Sequence, residues 1–354
     1  MAWLRVWVLA AFMALALGAC GEKKPITSES FVFGTRVEVQ VAEDVPEAKV
    51  RAAVTQVLAE FDRMHRTYHA WQPSELTQLN DALAAGQRVH VSSEMASLLL
   101  EAQQFSKLSE GLFDPGIGKL IALWGFHADS YAAQLPEPSA INAWLKSHPS
   151  IAQLKIDTND AGTWVSSRNT QVALDFGGSL KGTALDRAAA ILRAAGLNNA
   201  LINIGGNVMA LGTRYGSAWR VAIQAPRYAG PLAVLELRDG EATGTSGDYQ
   251  RYFEVDGKRY PHLLDPRTGY PAPGVQSVTI VVDGPGAGVR SDVLTKPLFI
   301  AGGNDWTAVA QRLALQSVLH VSDEGTVSVT ANLADRLKFQ PHDGKLPDIR
   351  RLSP

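Results

Sequence analysis

Apolar residues recur along the chain with two different periods, and each period predicts its own kind of element. From 31 to 41 apolar and polar positions alternate, the spacing of a strand with one buried face. From 46 to 68 the residues Val50, Val54, Val57, Leu58, Phe61 and Met64 fall three or four apart, so one face of a helix is apolar. A second helix fits 92 to 108, with Ser92 or Ser93 placed to accept from its first free N–H groups and Gly111 beyond its end. A Pro- and Ser-rich connection lies around 136 to 139, short strands fit 153 to 175, and 180 to 195 reads as an amphipathic helix ended by Gly196. Strands dominate from 200 to 255 and return at 276 to 282. Helices fit 292 to 301 and 305 to 314, and closing strands fit 316 to 330. Helices and strands are thus interleaved throughout, without tandem repeats. The pattern predicts a mixed α/β (α+β) fold, either one unit or two lobes meeting near 136 to 150.

Composition narrows the class. Of 354 residues, 46% are hydrophobic and 19% charged, enough apolar material for a sizeable core, which sets disorder aside. Lys and Arg total 33 against 35 Asp and Glu, and no long basic run tracks a phosphate backbone, so nucleic acid is excluded as a partner.

The first residues, Met1-Ala2-Trp3-Leu4-Arg5, lead into an apolar run from 6 to 17 and then Leu17-Gly18-Ala19-Cys20, the layout of a secretory signal. That run, about a dozen residues, is short of the roughly 20 that a bilayer span needs. Cys20 is the one cysteine in the chain and can form no internal disulfide, although the leader directs the chain to an oxidising compartment. Leu17-Gly18-Ala19-Cys20 resembles a bacterial lipobox, in which the Cys20 thiol takes a diacylglyceryl group and becomes the mature N-terminus. The alternative is a retained N-terminal anchor with an unrelated cysteine. On the lipoprotein reading, 1–19 is the signal peptide, 20–30 the lipidated Cys20 and a polar tether, 31–345 the fold and 346–354 a tail. Gly21 rather than Asp after the cysteine favours the outer over the inner membrane of a double-membraned cell, on the periplasmic face.

Four stretches carry candidate chemistry. Asp175-Phe176-Gly177-Gly178-Ser179-Leu180-Lys181-Gly182 joins a strand to the helix that follows. Adjacent glycines let a ligand approach the backbone, and free N–H groups in a first helical turn favour a phosphate. Asp175 suits a base, a ribose or a metal-bound water, and Lys181 adds a compact positive charge. The same residues also make an ordinary tight turn. Ile202-Asn203-Ile204-Gly205-Gly206-Asn207-Val208 reads as a buried strand running into a β-bulge or hairpin, with the wrong spacing for a dinucleotide fingerprint.

The third stretch is the longest: Thr245-Ser246-Gly247-Asp248-Tyr249-Gln250-Arg251-Tyr252, then His262-Leu263-Leu264-Asp265-Pro266-Arg267-Thr268-Gly269-Tyr270-Pro271. Turn chemistry accounts for Asp265, Pro266 and Gly269 but not for His262, which is either an acid/base or phosphate-contacting group or a packed, hydrogen-bonded histidine. The fourth, Arg290-Ser291-Asp292-Val293-Leu294-Thr295-Lys296-Pro297, sits at an expected helix start. An aspartate beside a hydroxyl suits a hard cation such as Mg²⁺, and equally suits a helix cap.

Together and in this order, these stretches resemble the ApbE family of FAD:protein FMN transferases, with its D-x-G-G-x-x-K-G, N-I-G-G-N, T-S-G-x-Y-x-R-Y and H-x-x-D-P-x-T-G-x-P motifs and a D-centred helix start. Phe33-Gly34-Thr35 resembles the family's M-G-T, Thr67-Tyr68 with Ser74-Glu75-Leu76 and Asn80 its S-T-Y…S-E-L…N, and Gly111-Leu112-Phe113-Asp114 with Leu123-Trp124-Gly125-Phe126 its G-x-F-D…L-W-G-F. The resemblance implies FAD as substrate, its pyrophosphate at the glycine turns, FMN passed to a Ser or Thr hydroxyl of a target, and AMP released. By position it implies Phe33, Tyr68, Leu112, Phe113, Asp114, Asp175, Lys181, His262 and Leu264 around the flavin nucleotide, and Mg²⁺ held by Asp292, Thr295 and a carbonyl near Gly178. His262 and Asp292 are then the catalytic candidates, with His262 or a nearby aspartate orienting or deprotonating the hydroxyl. The implied partners are flavin-carrying subunits of membrane electron-transfer complexes.

In one place the chain departs from that pattern. The family carries threonine four residues after the metal aspartate, whereas here Thr295 lies at three and Lys296 at four. An ammonium there repels a cation or substitutes for its charge. Water in place of the hydroxyl would make an FAD pyrophosphatase giving FMN and AMP, and a chain that only held the nucleotide would be a non-catalytic FAD-binding lipoprotein. Sequence alone leaves these alternatives open.

Overall fold

The computed structural model describes residues 23–128 and 132–352. The signal peptide and Cys20 lie outside the described residues. The main sheet comprises β1 (Ile26–Val32), β2 (Thr35–Val41), β3 (Ala200–Ile204), β4 (Asn207–Leu211), β5 (Ala242–Gly247), β6 (Val275–Val282), β7 (Val318–Ser322), β8 (Val327–Thr330) and β9 (Ile349–Leu352). These strands lie side by side in chain order. Each neighbouring pair is antiparallel except β8 and β9, which run parallel. The stretch read as a tail thus supplies a strand, and β1 begins within the stretch read as a tether.

The alternation over 31 to 41 belongs to a hairpin rather than to one strand. Phe33 and Gly34 both have positive φ, 57° and 67°, and form its two-residue turn. Val37, Val39 and Val41 point from β2 into the larger core. Around that core pack α1 (Glu47–Thr67), α2 (Glu75–Ala84), α3 (Ser93–Leu108), α4 (Gly118–Leu123), α5 (Pro138–Ser147), α6 (Leu180–Ala194), α7 (Ala287–Val293) and α8 (Thr295–Arg312), except that α4 and α5 turn their apolar faces to a smaller cluster around Trp124. The opposite face of the sheet, with Leu201, Val208 and Val281, is covered by a three-stranded sheet of Trp219–Gln224, Pro231–Leu237 and Leu337–Phe339. Central β6 is buried along its whole length, its polar Gln276, Ser277 and Thr279 included, so its sequence does not show the alternation of a strand with one wet face.

Helix ends follow local chemistry. Ser92 accepts from Met95 N–H at 3.1 Å and so caps α3. Ser74 and Thr77 form a reciprocal capping box that starts α2, whose buried face is Leu76, Leu79 and Leu83. Pro138 sits at the start of α5, so the Pro- and Ser-rich connection is the beginning of a helix. The two helices expected over 292–301 and 305–314 are instead α7 and α8. The latter continues past Gly302, whose φ of 79° marks a kink.

The α6–α7 crossing fixes the position of the fourth stretch. A Cβ at Gly182 would collide with the carbonyl of Gly288, and one at Gly288 with the carbonyl of Gly182, so the two helices touch backbone to backbone. Asp186 of α6 accepts from Gly288 N–H at 2.9 Å and Val289 N–H at 2.8 Å, capping α7 from outside. Neither Ser291 nor Asp292 caps its own helix; both are buried within α7, and Asp292 instead accepts from Gly182 N–H in the first turn of α6. Asp292 is thereby held against the first turn of α6.

Candidate active site

The Asp175 turn organises one wall. Asp175 accepts from Gly177 N–H at 2.7 Å. Burial pushes its carboxyl up, opposed by that bond and by the charges of Arg251 and Lys181. A Cβ on Gly178 would stand 3.3 Å from the Phe113 ring and 3.5 Å from Cε of Lys296, so glycine admits both neighbours. The Tyr68 ring meets Phe176 edge-on at 6.4 Å, which places the end of α1 beside the same turn. The expected cradle of free N–H groups at the start of α6 is largely spent within the fold: Ser179 and Leu180 donate to Phe176 O, and Gly182 donates to Asp292 Oδ2 at 2.9 Å.

Several sequence candidates serve to shape this wall. Asp114 accepts from Gly116 N–H (2.7 Å), Ile151 N–H (2.9 Å) and Ser150 Oγ (2.5 Å), so its carboxylate holds the 112–116 turn to the chain at 150. Leu112 and Phe113 are buried in the main core. Leu264 faces the smaller cluster beside Trp124. Phe33 packs at the hairpin turn against Phe61 and His65, with ring centroids 5.9 and 5.8 Å away.

His262 forms the second wall. Its backbone N–H and its Nδ1 both engage the carbonyl oxygen of Arg251, each at 3.0 Å. Burial and the charges of Arg251, Lys181 and Lys296 push its pKa down to about 3, so the ring is neutral at physiological pH. The Asp265–Gly269 turn behind it is locked twice: Arg267 pairs with Asp265 at 2.8 Å, and Trp124 Nε1 donates to Gly269 O at 2.8 Å. Arg251 is a site residue that the separate motifs do not single out. It sits in the T-S-G…R-Y stretch, and its guanidinium donates to Phe126 O at 2.9 Å.

The Asn203–Asn207 stretch is a hairpin, one of the two turns its sequence predicts. Gly205 and Gly206 turn with φ of 56° and 92°, and a Cβ on Gly205 would collide with Thr35. The two glycine-bearing hairpin turns of the sheet therefore adjoin. Arg227 holds Asp248 through bonds of 2.7 and 2.6 Å. Ser246 Oγ meets Thr295 Oγ1 at 2.8 Å.

The donor set expected for Mg²⁺ is already engaged. Asp292 Oδ2 takes the Gly182 N–H, and Oδ1 takes the ammonium of Lys296, which also donates to Asp292 O at 2.7 Å. Thr295 Oγ1 donates to that same carbonyl at 2.7 Å. Burial by itself would raise Asp292, but the charges of Lys296 and Lys181 hold its carboxyl below the usual carboxylate range. A divalent ion bound to Asp292, Thr295 and the Gly178 turn would meet a buried ammonium in direct contact with its main ligand, an arrangement that like-charge repulsion disfavours. Among the described residues no group of three or more His, Cys, Asp or Glu is placed to hold a metal. The residues present do not fit that ion.

Lys181 acts electrostatically on Asp175, His262, Asp292 and Lys296, so the first, third and fourth stretches share one locality. A profile of the ApbE family matches residues 33–319. The chain belongs to the ApbE family. Among ApbE relatives, an FAD:protein FMN transferase of Rhodobacter capsulatus is 41% identical over 333 residues, covering 93% of this chain and 62% of that protein. The chain thus spans under two thirds of that relative. An FAD:protein FMN transferase of Treponema pallidum is 30% identical and aligns over 94% of this chain and 95% of its own. The crystal structure of the ApbE protein from Thermotoga maritima superposes with a TM-score of 0.80 at 31% identity, covering 88% of this chain and 99% of that one.

Proposed function

We propose that this ApbE chain is an FAD:protein FMN transferase that moves FMN from FAD onto a Ser or Thr hydroxyl of a flavin-carrying target. The observation that carries the reading is the gathering of Lys181, Arg251 and a neutral His262 around the Asp175 turn. Two cations suit a diphosphate, and a neutral imidazole suits a hydroxyl that must lose a proton.

The target oxygen forms a bond to the phosphorus of the FMN half, and the bridging P–O bond to AMP breaks. The hydroxyl proton passes to Nε2 of His262, and AMP leaves with the bridging oxygen. Lys181 and Arg251 neutralise the charge that grows on that oxygen. Asp175 accepts from the nucleotide, and the Phe113 and Tyr68 side of the turn shapes the flavin end.

The Leu17-Gly18-Ala19-Cys20 spacing supports export and lipid anchoring at the periplasmic face, where flavin-carrying subunits of membrane electron-transfer complexes would be the targets. Among the described residues no helix is long and apolar enough to cross a membrane. Incubating the purified chain with FAD and a target domain should yield an FMN adduct by mass spectrometry together with AMP. Free FMN and AMP without adduct would make the chain a pyrophosphatase, and intact FAD would make it a binder. Cys20→Ser should move the protein out of the membrane fraction; retention there would sink the lipid anchor.

A further inference from the structure

Lys296 lies where two walls of the site meet. Its stem passes the Gly178 turn at 3.5 Å from the position of a Cβ, and its ammonium is pinned to Asp292 through both the carboxylate and the 2.7 Å bond to the carbonyl oxygen. Asp292 is buried, its side chain 2% exposed, and Lys296 is partly buried, its side chain 14% exposed. An ammonium has three N–H donors, and two are accounted for by Asp292. The third remains for a ligand. Thr295 cannot turn to a cation without giving up its bonds to Asp292 O and Ser246.

The ion pair is itself electrically balanced, but it stands beside Lys181, whose charge also acts on both partners. An anion entering between the Gly178 turn and α7 therefore meets an ammonium that is already oriented and dehydrated. An Mg²⁺ ion entering the same place meets repulsion, with Asp292 already claimed.

We propose that the Lys296 ammonium is a built-in cation that takes the place of a divalent metal, holding an oxygen of the FAD diphosphate so that the nucleotide binds and FMN is transferred without added metal. This rests on the flavin-transferase reading for its ligand. A lysine acts as a point charge with freely rotating donors, so it neutralises the diphosphate without imposing octahedral geometry. Asp292 then serves as a positioning residue that fixes the ammonium.

The test uses the purified full chain in detergent, stripped with EDTA, and FAD itself as the probe. Binding is followed by flavin fluorescence, with and without Mg²⁺, beside adduct formation in a single turnover. The expected result is an FAD affinity and transfer rate that Mg²⁺ leaves unchanged. Lys296→Met, which keeps the stem and removes the charge, should weaken FAD binding by about tenfold or more, as expected for losing a charge-assisted bond. Lys296→Thr should lose binding in EDTA and recover it with Mg²⁺. Circular dichroism melts report whether either variant folds, and the wild-type comparison stands without them. Loss of wild-type FAD binding in EDTA with recovery on adding Mg²⁺ would overturn the proposal, as would wild-type affinity in a folded Lys296→Met. Metal-independent FAD binding with no adduct would uphold the binding role of Lys296 while sinking the transferase reading.

Discussion

The Nδ1 atom of His262 lies 3.0 Å from the carbonyl oxygen of Arg251, and that contact settles the tautomer of the ring. A carbonyl oxygen only accepts, so Nδ1 carries the proton and Nε2 keeps its lone pair. The lone pair of a neutral imidazole held near pKa 3 is a weak base in the free chain, and the negative charge of a bound diphosphate would strengthen it towards the hydroxyl proton. His262→Ala should therefore lower the single-turnover rate of FMN transfer by about 10²- to 10⁴-fold, the usual worth of general base catalysis. FAD affinity, measured by titration, should change little. An unchanged rate would remove His262 from the mechanism.

Acid should destabilise the fold through its buried histidines. His262 is pushed down to about 3 and His320 to about 4, in both cases chiefly by burial. An unfolded histidine takes its proton near 6.5. Between those values the unfolded chain binds protons that the native one refuses, so this stability is fully present above about pH 6.5 and lost as the pH falls towards 4. His320 stacks on Trp306 with centroids 4.9 Å apart, and its Nε2 has no hydrogen-bond partner among the described residues. His320→Phe keeps the stack and removes the titrating group. Its melting temperature should fall less steeply than that of the wild type between pH 6.5 and 4; parallel slopes would refute the assignment.

Much of this was legible in the chain because periodicity and caps are local. Helices α1, α3 and α6 follow their apolar spacing, and the Asp175 turn leads into α6 where its glycines place it, although the strand expected to run into it ends at Ser167 and only an isolated bridge at Ala173 precedes the turn. The β1–β2 turn was hidden because Phe31, Phe33, Thr35 and Val37 keep one alternation running through it, although Phe31 proves 74% exposed. Helix α5 was masked by Pro138, which reads as a breaker until it is seen to open the helix. Long-range pairings left no local trace. Nothing in the Leu112-Phe113-Asp114 stretch announces that Asp114 holds Ser150 and Ile151, and Asp248 is held by Arg227, from the loop between the strands Trp219–Gln224 and Pro231–Leu237. Lys296 was visible as a departure, and its i, i+4 spacing already brings it to Asp292; that the pair lies against the start of α6 depends on how α6 and α7 cross.

Trp124 links two of the motifs through one bond, its Nε1 donating to Gly269 O at 2.8 Å. Its ring also stacks near Phe253 and Tyr260, with centroids 6.3 and 5.8 Å away. Trp124→Phe keeps an aromatic body but leaves a buried carbonyl without its donor, at a cost of about 1–3 kcal/mol. Urea unfolding should show that loss. Because Gly269 closes the turn that follows His262, kcat should fall with it, and full activity in a destabilised protein would show that the turn holds without the indole.

The closest helix contact in the site sets the reach of Asp292. A Cβ on Gly182 would sit 2.7 Å from Cβ of Asp292 and from Cα of Val289, and closer still to Gly288 O. Backbone lies on both sides, so no side chain can rotate away to make room. Gly182→Ala must then part α6 from α7, lengthening the 2.9 Å bond from Gly182 N–H to Asp292 Oδ2. Overpacking of this kind costs about 1–3 kcal/mol. The separation also moves Asp292, and with it the ammonium it anchors, away from the Gly178 turn. The variant should unfold at lower urea and bind FAD more weakly, whereas Gly240→Ala, at a turn where the nearest side-chain atom is 4.0 Å from a Cβ, should leave FAD binding as it is. Equal FAD affinity for wild type and a folded Gly182→Ala would show that the helix crossing does not position the site.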